Sequence, residues 1–224
     1  MIITIDGPVG TGKSTIAKQL ADELGFVFFD TGAMYRCFTY GIIKNNIDMN
    51  NAEQLDLFLK NFDFDIQVQN GAKHYFFEGK DITDEIRGEG VTSFVSEVSS
   101  YGPVRGKLVA IQRKLGHEVD AVFEGRDMGT VVFPDAELKV FLTAEPEVRA
   151  QRRFDELRQK FSEETKDLTV DQVLASLNKR DAFDSTREIS PLKQADDAYL
   201  VDSSDLSIEE VVIKILEIKE QLPT

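Results

Sequence analysis

Residues 2–15 read Ile2-Ile3-Thr4-Ile5-Asp6-Gly7-Pro8-Val9-Gly10-Thr11-Gly12-Lys13-Ser14-Thr15, and the fold is decided there. Ile2 to Ile5 form an apolar run that reads as a buried strand, and Asp6 ends it. Gly7 to Ser14 then spell G-x-x-x-x-G-K-[ST], the phosphate-binding loop, with a strand before it and a helix after it. Glycines permit a backbone path that aims several N–H groups at one point, and the helix N-terminus adds positive potential there. In this pattern Lys13 reaches the β- and γ-phosphates and the Ser14 hydroxyl is a Mg²⁺ ligand. Gly7, Pro8, Val9, Gly10, Thr11, Gly12, Lys13, Ser14 and Thr15 are therefore the expected site for a nucleoside triphosphate and its Mg²⁺.

The 224 residues carry a formal net charge of −14, with 42% apolar residues. That leaves a real core and argues against a general nucleic-acid surface, which needs basic excess. An acidic chain that holds anionic nucleotides must do so with local arginine clusters. The single cysteine, Cys37, excludes an intramolecular disulfide and reads as a core thiol. No stretch reaches the apolar length of a membrane span, and the opening strand lacks the regions of a signal peptide. A cytoplasmic protein without membrane or protein partners, monomeric, is the expectation.

Along the chain, helical spacing of Ile16, Leu20 and Leu24 predicts a helix over 13–24, stopped at Gly25. Val27-Phe28-Phe29 is a second strand, and strand–helix–strand with short connections argues a parallel α/β sheet. Asp30 to Arg36 follow at the strand's C-terminal end, where α/β folds bind ligands. Asn50 or Asn51 caps a helix over about 52–60. Phe64, Ile66 and Val68 then alternate with polar residues, Asn70-Gly71 is a hairpin signal, and His74 to Phe77 return before a turn at Gly79-Lys80-Asp81. Residues 88–117 read as two helices broken near Gly102-Pro103.

Ala121-Val122-Phe123 is a third core strand and closes in Glu124-Gly125-Arg126-Asp127. A carboxylate ending an apolar strand beside a phosphate loop suits Mg²⁺ coordination through water, so Glu124 joins Ser14 as a metal candidate. Arg126 is placed to clamp a transferring phosphoryl group. Leu138 to Leu142 and Ala198 to Asp202 complete five strands. Between them Arg149, Arg152 and Arg153 share one face of a helix opened by Pro146. A polar stretch from Ser162 to Thr169 separates this helix from another, on which Arg180, Asp184 and Arg187 recur at i, i+4 and i+7. Two such faces predict a lid closing over phosphates. Ser207 and Glu210 form a capping box for the last helix.

The expected architecture is a three-layer α/β P-loop fold with a five-stranded parallel sheet. It forms one domain over residues 1–224: a core (about 1–61, 88–144 and 188–224), a small antiparallel β insert (about 62–87) and a helical lid (about 145–187). A GTPase reading fails. Asn178-Lys179-Arg180-Asp181 spells N-K-x-D but follows a helical rather than a strand pattern, and the only D-x-x-G, Asp22 to Gly25, ends the first helix. A kinase for a small phosphorylated acceptor fits better, because an arginine-lined lid excludes water that would otherwise compete for the phosphoryl group.

The chain resembles bacterial cytidylate kinases. The resemblance rests on Ile3 to Pro8 with the phosphate loop, on Asp30-Thr31-Gly32-Ala33-Met34-Tyr35-Arg36, and above all on the twelve residues Gly125 to Ala136. Weaker matches lie at 85–87, 103–105 and 180–192. The resemblance implies a nucleoside monophosphate kinase fold that moves the γ-phosphoryl of ATP onto CMP or dCMP. It implies that Ser96, Arg105, Asp127 and Arg187 read the cytosine edge, that Thr31, Arg180 and Asp184 hold the ribose, and that Arg36 and Arg126 grip the acceptor phosphate. Lys13, Arg36, Arg126, Arg152 and Arg153 are then the catalytic candidates. Arg149, Arg152 and Arg153 are the candidate donor contacts, with the choice among them open. Thr31 stands where the family often has Ser, Glu124 where Asp is common, and Phe183 and Ser185 where some relatives are basic. The alternative reading is a related P-loop kinase with another acceptor, either UMP and CMP together or a small metabolite.

Overall fold

In the computed structural model residues 1–69, 72–163 and 165–222 are described. They divide into two units, one formed by 1–30 with 113–224 and the other by 31–112.

The first unit is built on a parallel sheet of five strands, β1 (Ile2–Asp6), β2 (Val27–Asp30), β6 (Ala121–Gly125), β7 (Leu138–Thr143) and β8 (Tyr199–Asp202). Their order across the sheet is β2-β6-β1-β7-β8. β1 lies at the centre, and Ile3 and Ile5 are fully buried. That explains its unbroken apolar run, since a parallel strand is covered on both faces. Register brings the acidic strand ends together. Asp6 lies opposite Gly125 and Phe141, and Asp30 opposite Glu124. α1 (Lys13–Leu24) and α8 (Ile208–Glu220) share one core with the sheet, through Ile16, Leu20, Val211, Val212 and Ile215. α8 starts at the expected capping box. Glu210 N–H donates to Ser207 Oγ at 3.2 Å, and Ser207 N–H donates to Glu210 Oε2 at 2.8 Å.

α6 (Pro146–Lys160) and α7 (Val170–Thr186) form a helical hairpin with its own small core of Ala150, Val173 and Leu177, flanked by Phe154, Leu157 and Leu174. Thr169 and Gln172 cap α7 reciprocally. α7 ends at Thr186, and Arg187 is its C-cap in extended conformation. The expected i, i+4, i+7 face of Arg180, Asp184 and Arg187 is therefore broken at its third member, which leaves the helix.

The second unit holds α2 (Thr31–Lys44), α3 (Ala52–Asn61), α4 (Glu89–Ser100) and the start of α5 (Gly102–Glu118). It also holds the antiparallel sheet of β3 (Phe64–Gln69), β4 (Ala72–Phe77) and β5 (Lys80–Asp81). Asn51 caps α3 by accepting from Gln54 N–H. Lys80 and Asp81, expected in a turn, instead pair with Phe77 and Phe76 as a short third strand. The turn sits one step earlier, at Glu78 and Gly79, both at positive φ. The hairpin signal at Asn70-Gly71 lies outside the described residues. Rings of Phe38, Phe58, Phe62 and Phe77 interlock at centroid distances of 4.6–6.5 Å. A Cβ on Gly41 would come within 2.7 Å of the Phe58 ring, so α2 needs glycine there to admit it.

Among the described residues, no helix is long and apolar enough to cross a membrane.

Candidate active site

The phosphate loop joins β1 to α1. Gly7 has φ +150°, and a Cβ there would overlap the Leu142 carbonyl, so the chain can leave the sheet along this path only with glycine. Lys13 folds back over the loop, donating to Pro8 O at 2.6 Å. Its ammonium is buried, which pushes the pKa down to about 7, helped by the Arg126 charge and opposed by Glu124, Asp181 and Asp6. Ser14 Oγ donates to Glu124 Oε1 at 2.8 Å. Burial and the neighbouring Asp30 charge push Glu124 up to about 7. Ser14 and Glu124 thus present hard oxygen donors side by side at the mouth of the loop. Mg²⁺ takes one or two carboxylates and completes its shell from phosphates and water, so this pair fits it.

Asp6, absent from the sequence-derived site, organises the neighbouring loop. Its two carboxylate oxygens accept from Met128 N–H at 2.9 Å and Gly129 N–H at 2.8 Å. Burial lifts its pKa to about 6 against the pull of those two donors. The same loop, a tight turn over Met128–Val132, is held from other sides. Arg113 donates to Val132 O at 2.9 Å and Val131 O at 2.8 Å, and Lys139 donates to the Pro134 carbonyl and to Asp197. Arg126 and Asp127 open this loop. The signal for Asp6 was present in the sequence: an acid closing an otherwise buried strand must find donors.

Arg126 Nε donates to Asp184 Oδ2 at 3.0 Å, and Arg126 Nη1 to Gly125 O at 3.2 Å. Asp127 is buried, with Arg187 Nη2 3.9 Å from its Oδ1, and Arg187 Nε donates to Ser190 O at 2.6 Å. The structure therefore brings Arg126 to Asp184 and Arg187 to Asp127, two acid–base pairs from the sequence-derived set. Arg180 is half-buried on α7.

The three arginines of α6 have separate fates. Arg149 is buried and donates to Ala144 O at 3.1 Å and Val9 O at 2.9 Å, and it pairs with Asp181. Arg152 Nη2 donates to Ser203 O at 2.7 Å. Arg153 pairs with Glu156 at 2.7 Å, half-exposed. Beside Arg152 a cavity of about 360 Å³ opens next to Thr11 and Gly12, lined further by Ser203, Leu206 and Ser207.

In the second unit, Arg36 Nη1 donates to Ile86 O at 3.0 Å and to Thr92 Oγ1 at 2.8 Å. Arg105 is buried; it donates to Ser99 O at 3.0 Å and lies 5.4 Å from the Tyr35 ring centroid. Thr31 is buried at the start of α2, and Ser96 is half-buried on α4. The second unit also has a groove of about 730 Å³ along α3 and β3, lined by Phe58, Phe62 and Phe64; none of the site residues line it.

A phosphate loop at the C-terminal end of the central strand of a five-stranded parallel sheet, with a buried acid at the neighbouring strand end, defines a P-loop nucleotide-binding fold of the kinase type. The family model described as cytidylate kinase matches residues 3–221, and the chain belongs to that family. It is 60% identical over 224 residues to the cytidylate kinase of Protochlamydia amoebophila, covering 100% of this chain and 98% of that one. It is 45% identical over 216 residues to the cytidylate kinase of Caldicellulosiruptor saccharolyticus, covering 96% and 94% of the two chains. Among solved structures, an uncharacterized protein from Eubacterium ventriosum shares the fold at TM-score 0.53 and 12% identity, covering 98% of each chain.

Proposed function

We propose that the chain transfers the γ-phosphoryl group of ATP to CMP or dCMP, giving ADP and the cytidine diphosphate. The observation that carries this is full-length identity of 60% to a cytidylate kinase, with the phosphate loop and the Arg126-Asp127 loop both built and fixed in the first unit. Transfer is in line. A phosphate oxygen of the acceptor bonds to the γ-phosphorus as the bond to the ADP oxygen breaks, without a covalent enzyme intermediate.

The residues divide the work. Backbone N–H groups of residues 7–15 and the start of α1 receive the donor phosphates. Lys13 supplies positive charge to them. Its lowered pKa reflects burial, and an arriving polyphosphate favours the protonated form. Ser14 and, through water, Glu124 would hold Mg²⁺, whose contribution when bound is to neutralise charge on the β- and γ-phosphates. The cavity beside Thr11, Arg152 and Ser203 takes the donor's base. Arg36 and Arg126 hold the acceptor phosphate and stabilise charge developing in the transition state. Thr31, Arg180 and Asp184 hold the ribose. Ser96, Arg105, Asp127 and Arg187 read the base. Cytosine's exocyclic amine donates where uracil has an acceptor, so a carboxylate at Asp127 accepts from the first and faces a lone pair on the second.

The test is ADP production from ATP and Mg²⁺ with CMP, dCMP, UMP, dUMP, AMP and GMP in turn. Turnover on the cytidine nucleotides alone is expected. Comparable turnover on UMP would overturn the role given to Asp127. No transfer to any of the six, with ATP bound, would overturn the kinase reading.

A further inference from the structure

Val9 is the phosphate-loop residue whose side chain, N–H and carbonyl are all engaged by the α6–α7 hairpin. Its side chain packs into the hairpin's core with Ala150, Val173 and Leu177. Its N–H donates to Asp181 Oδ1 of α7 at 3.0 Å. Its carbonyl accepts from Arg149 Nη1 of α6 at 2.9 Å. Arg149 and Asp181 are paired with each other, and Arg149 Nε is fixed in turn on Ala144 O at 3.1 Å. The next residue, Gly10, runs so close to α6 that a Cβ would come within 3.1 Å of Arg149 Cβ and O.

This arrangement meets a physical need. Gly7, Gly10 and Gly12 all stand at positive φ, and glycines give the loop its shape but also many others. A loop that presents a fixed ring of N–H donors must be held by something outside itself, or ordering it costs binding energy. We propose that Arg149 and Asp181 are positioning residues that clamp the Val9 peptide and so hold the phosphate loop in its donor-receiving conformation. Arg149 acts on the donor through Val9 rather than by touching phosphate. Asp181 improves ATP binding although it places a negative charge beside a polyanion's site. The inference rests on the proposed ATP-dependent reading and adds a role for these two residues within it.

The sign of the Asp181 effect separates this from the alternatives. Coulomb's law alone makes loss of a carboxylate near phosphates favourable to ATP, whereas loss of the clamp weakens ATP binding. The experiment is calorimetric titration of the full chain with ATP and, separately, with CMP, alongside thermal denaturation, for wild type, Asp181→Asn, Arg149→Lys and the double variant. Asp181→Asn is expected to raise the ATP dissociation constant about tenfold, as for one hydrogen bond to a charged group, with CMP affinity within about twofold of wild type. Arg149→Lys keeps the charge but not the fork that spans Ala144, Val9 and Asp181, and it should also weaken ATP binding. The double variant should be little worse than the poorer single one, because both residues act on one peptide.

Unchanged or tighter ATP binding by Asp181→Asn would overturn the clamp, as would wild-type ATP affinity in Arg149→Lys. Equal loss of ATP and CMP binding with a lowered Tm would make the pair merely structural, and that too overturns the proposal. Failure of the wild type to bind ATP would instead remove the reading on which the clamp rests.

Discussion

Around the ends of β1 and β6, Asp6, Lys13, Glu124, Arg126 and Asp127 sit within one small volume, and three of them have pKa values moved toward neutrality by burial. In the second unit the corresponding mass of the fold is apolar: the rings of Phe38, Phe58, Phe62 and Phe77 pack together, Phe58 and Phe77 close against Gly41, and Arg105 lies over the Tyr35 ring. One region stores unfavourable charge burial and the other supplies favourable ring burial. The contrast teaches where stability and chemistry are kept. A buried ionic site costs desolvation that only function justifies, while an aromatic core stabilises without chemistry. Substitutions in the two regions should therefore differ in kind.

The largest effect belongs to the ionic region. Lys13→Ala should lower turnover by about 10³-fold with Tm unchanged or raised, since the proposed reading gives Lys13 a charge-donating part in the transition state and the substitution removes a buried ammonium. A fall in Tm with retained turnover would break the contrast. In the aromatic region, Phe38→Ala should lower unfolding free energy by about 3 kcal/mol or more, measured by urea titration, with ATP affinity of the folded protein unaltered. Loss of ATP affinity in step with stability would show that the two regions are not energetically separate.

Arg126→Ala should lower kcat by about 10²-fold while ATP affinity falls less than about threefold. Equal losses would reassign Arg126, with its Asp184 partner, to structure.

The stored charge should appear as a pH dependence. Glu124 is raised from 4.5 to about 7 in the fold, so the folded state binds more protons than the unfolded one between those values. Its contribution is fully present below about pH 4.5 and is lost as pH rises through about 7. Glu124→Gln should flatten this decline and stabilise the protein at pH 8 by about 1–2 kcal/mol without nucleotide or divalent metal, at the expense of activity. Denaturation curves at pH 5 and pH 8 test it, and an unchanged slope would place the decline elsewhere. The smallest effect is at the α8 cap, where Ser207→Ala should cost about 1 kcal/mol of stability, measured by urea titration.

Much of this was legible from local pattern. The phosphate loop, the five strands, the α8 capping box and the helix break near Gly102-Pro103, which falls at Tyr101, are written in short-range residue types, because strand burial, glycine turns and caps are local constraints. The face of Arg149, Arg152 and Arg153 was legible as a face and no further. Spacing puts three cations on one side of a helix, but the partner of each is decided by what the fold brings up to it: Val9 and Asp181 for the first, Ser203 for the second, Glu156 for the third. Lys80-Asp81 carry a turn pattern yet form a strand, because a two-residue strand is defined by its neighbour, β4, and not by its own pattern.

By itself the sequence determined that a nucleoside triphosphate loop stands at the head of a parallel α/β fold, and its twelve-residue run from Gly125 determined the family. The tertiary structure alone decided that Asp6 holds the Arg126-Asp127 loop and that Arg149 and Asp181 grip Val9. Those contacts join residues far apart in the chain, 122 positions for Asp6 and Met128 and 172 for Val9 and Asp181. No local periodicity encodes such a pairing. It follows from strand register and helix packing, which only the folded chain supplies.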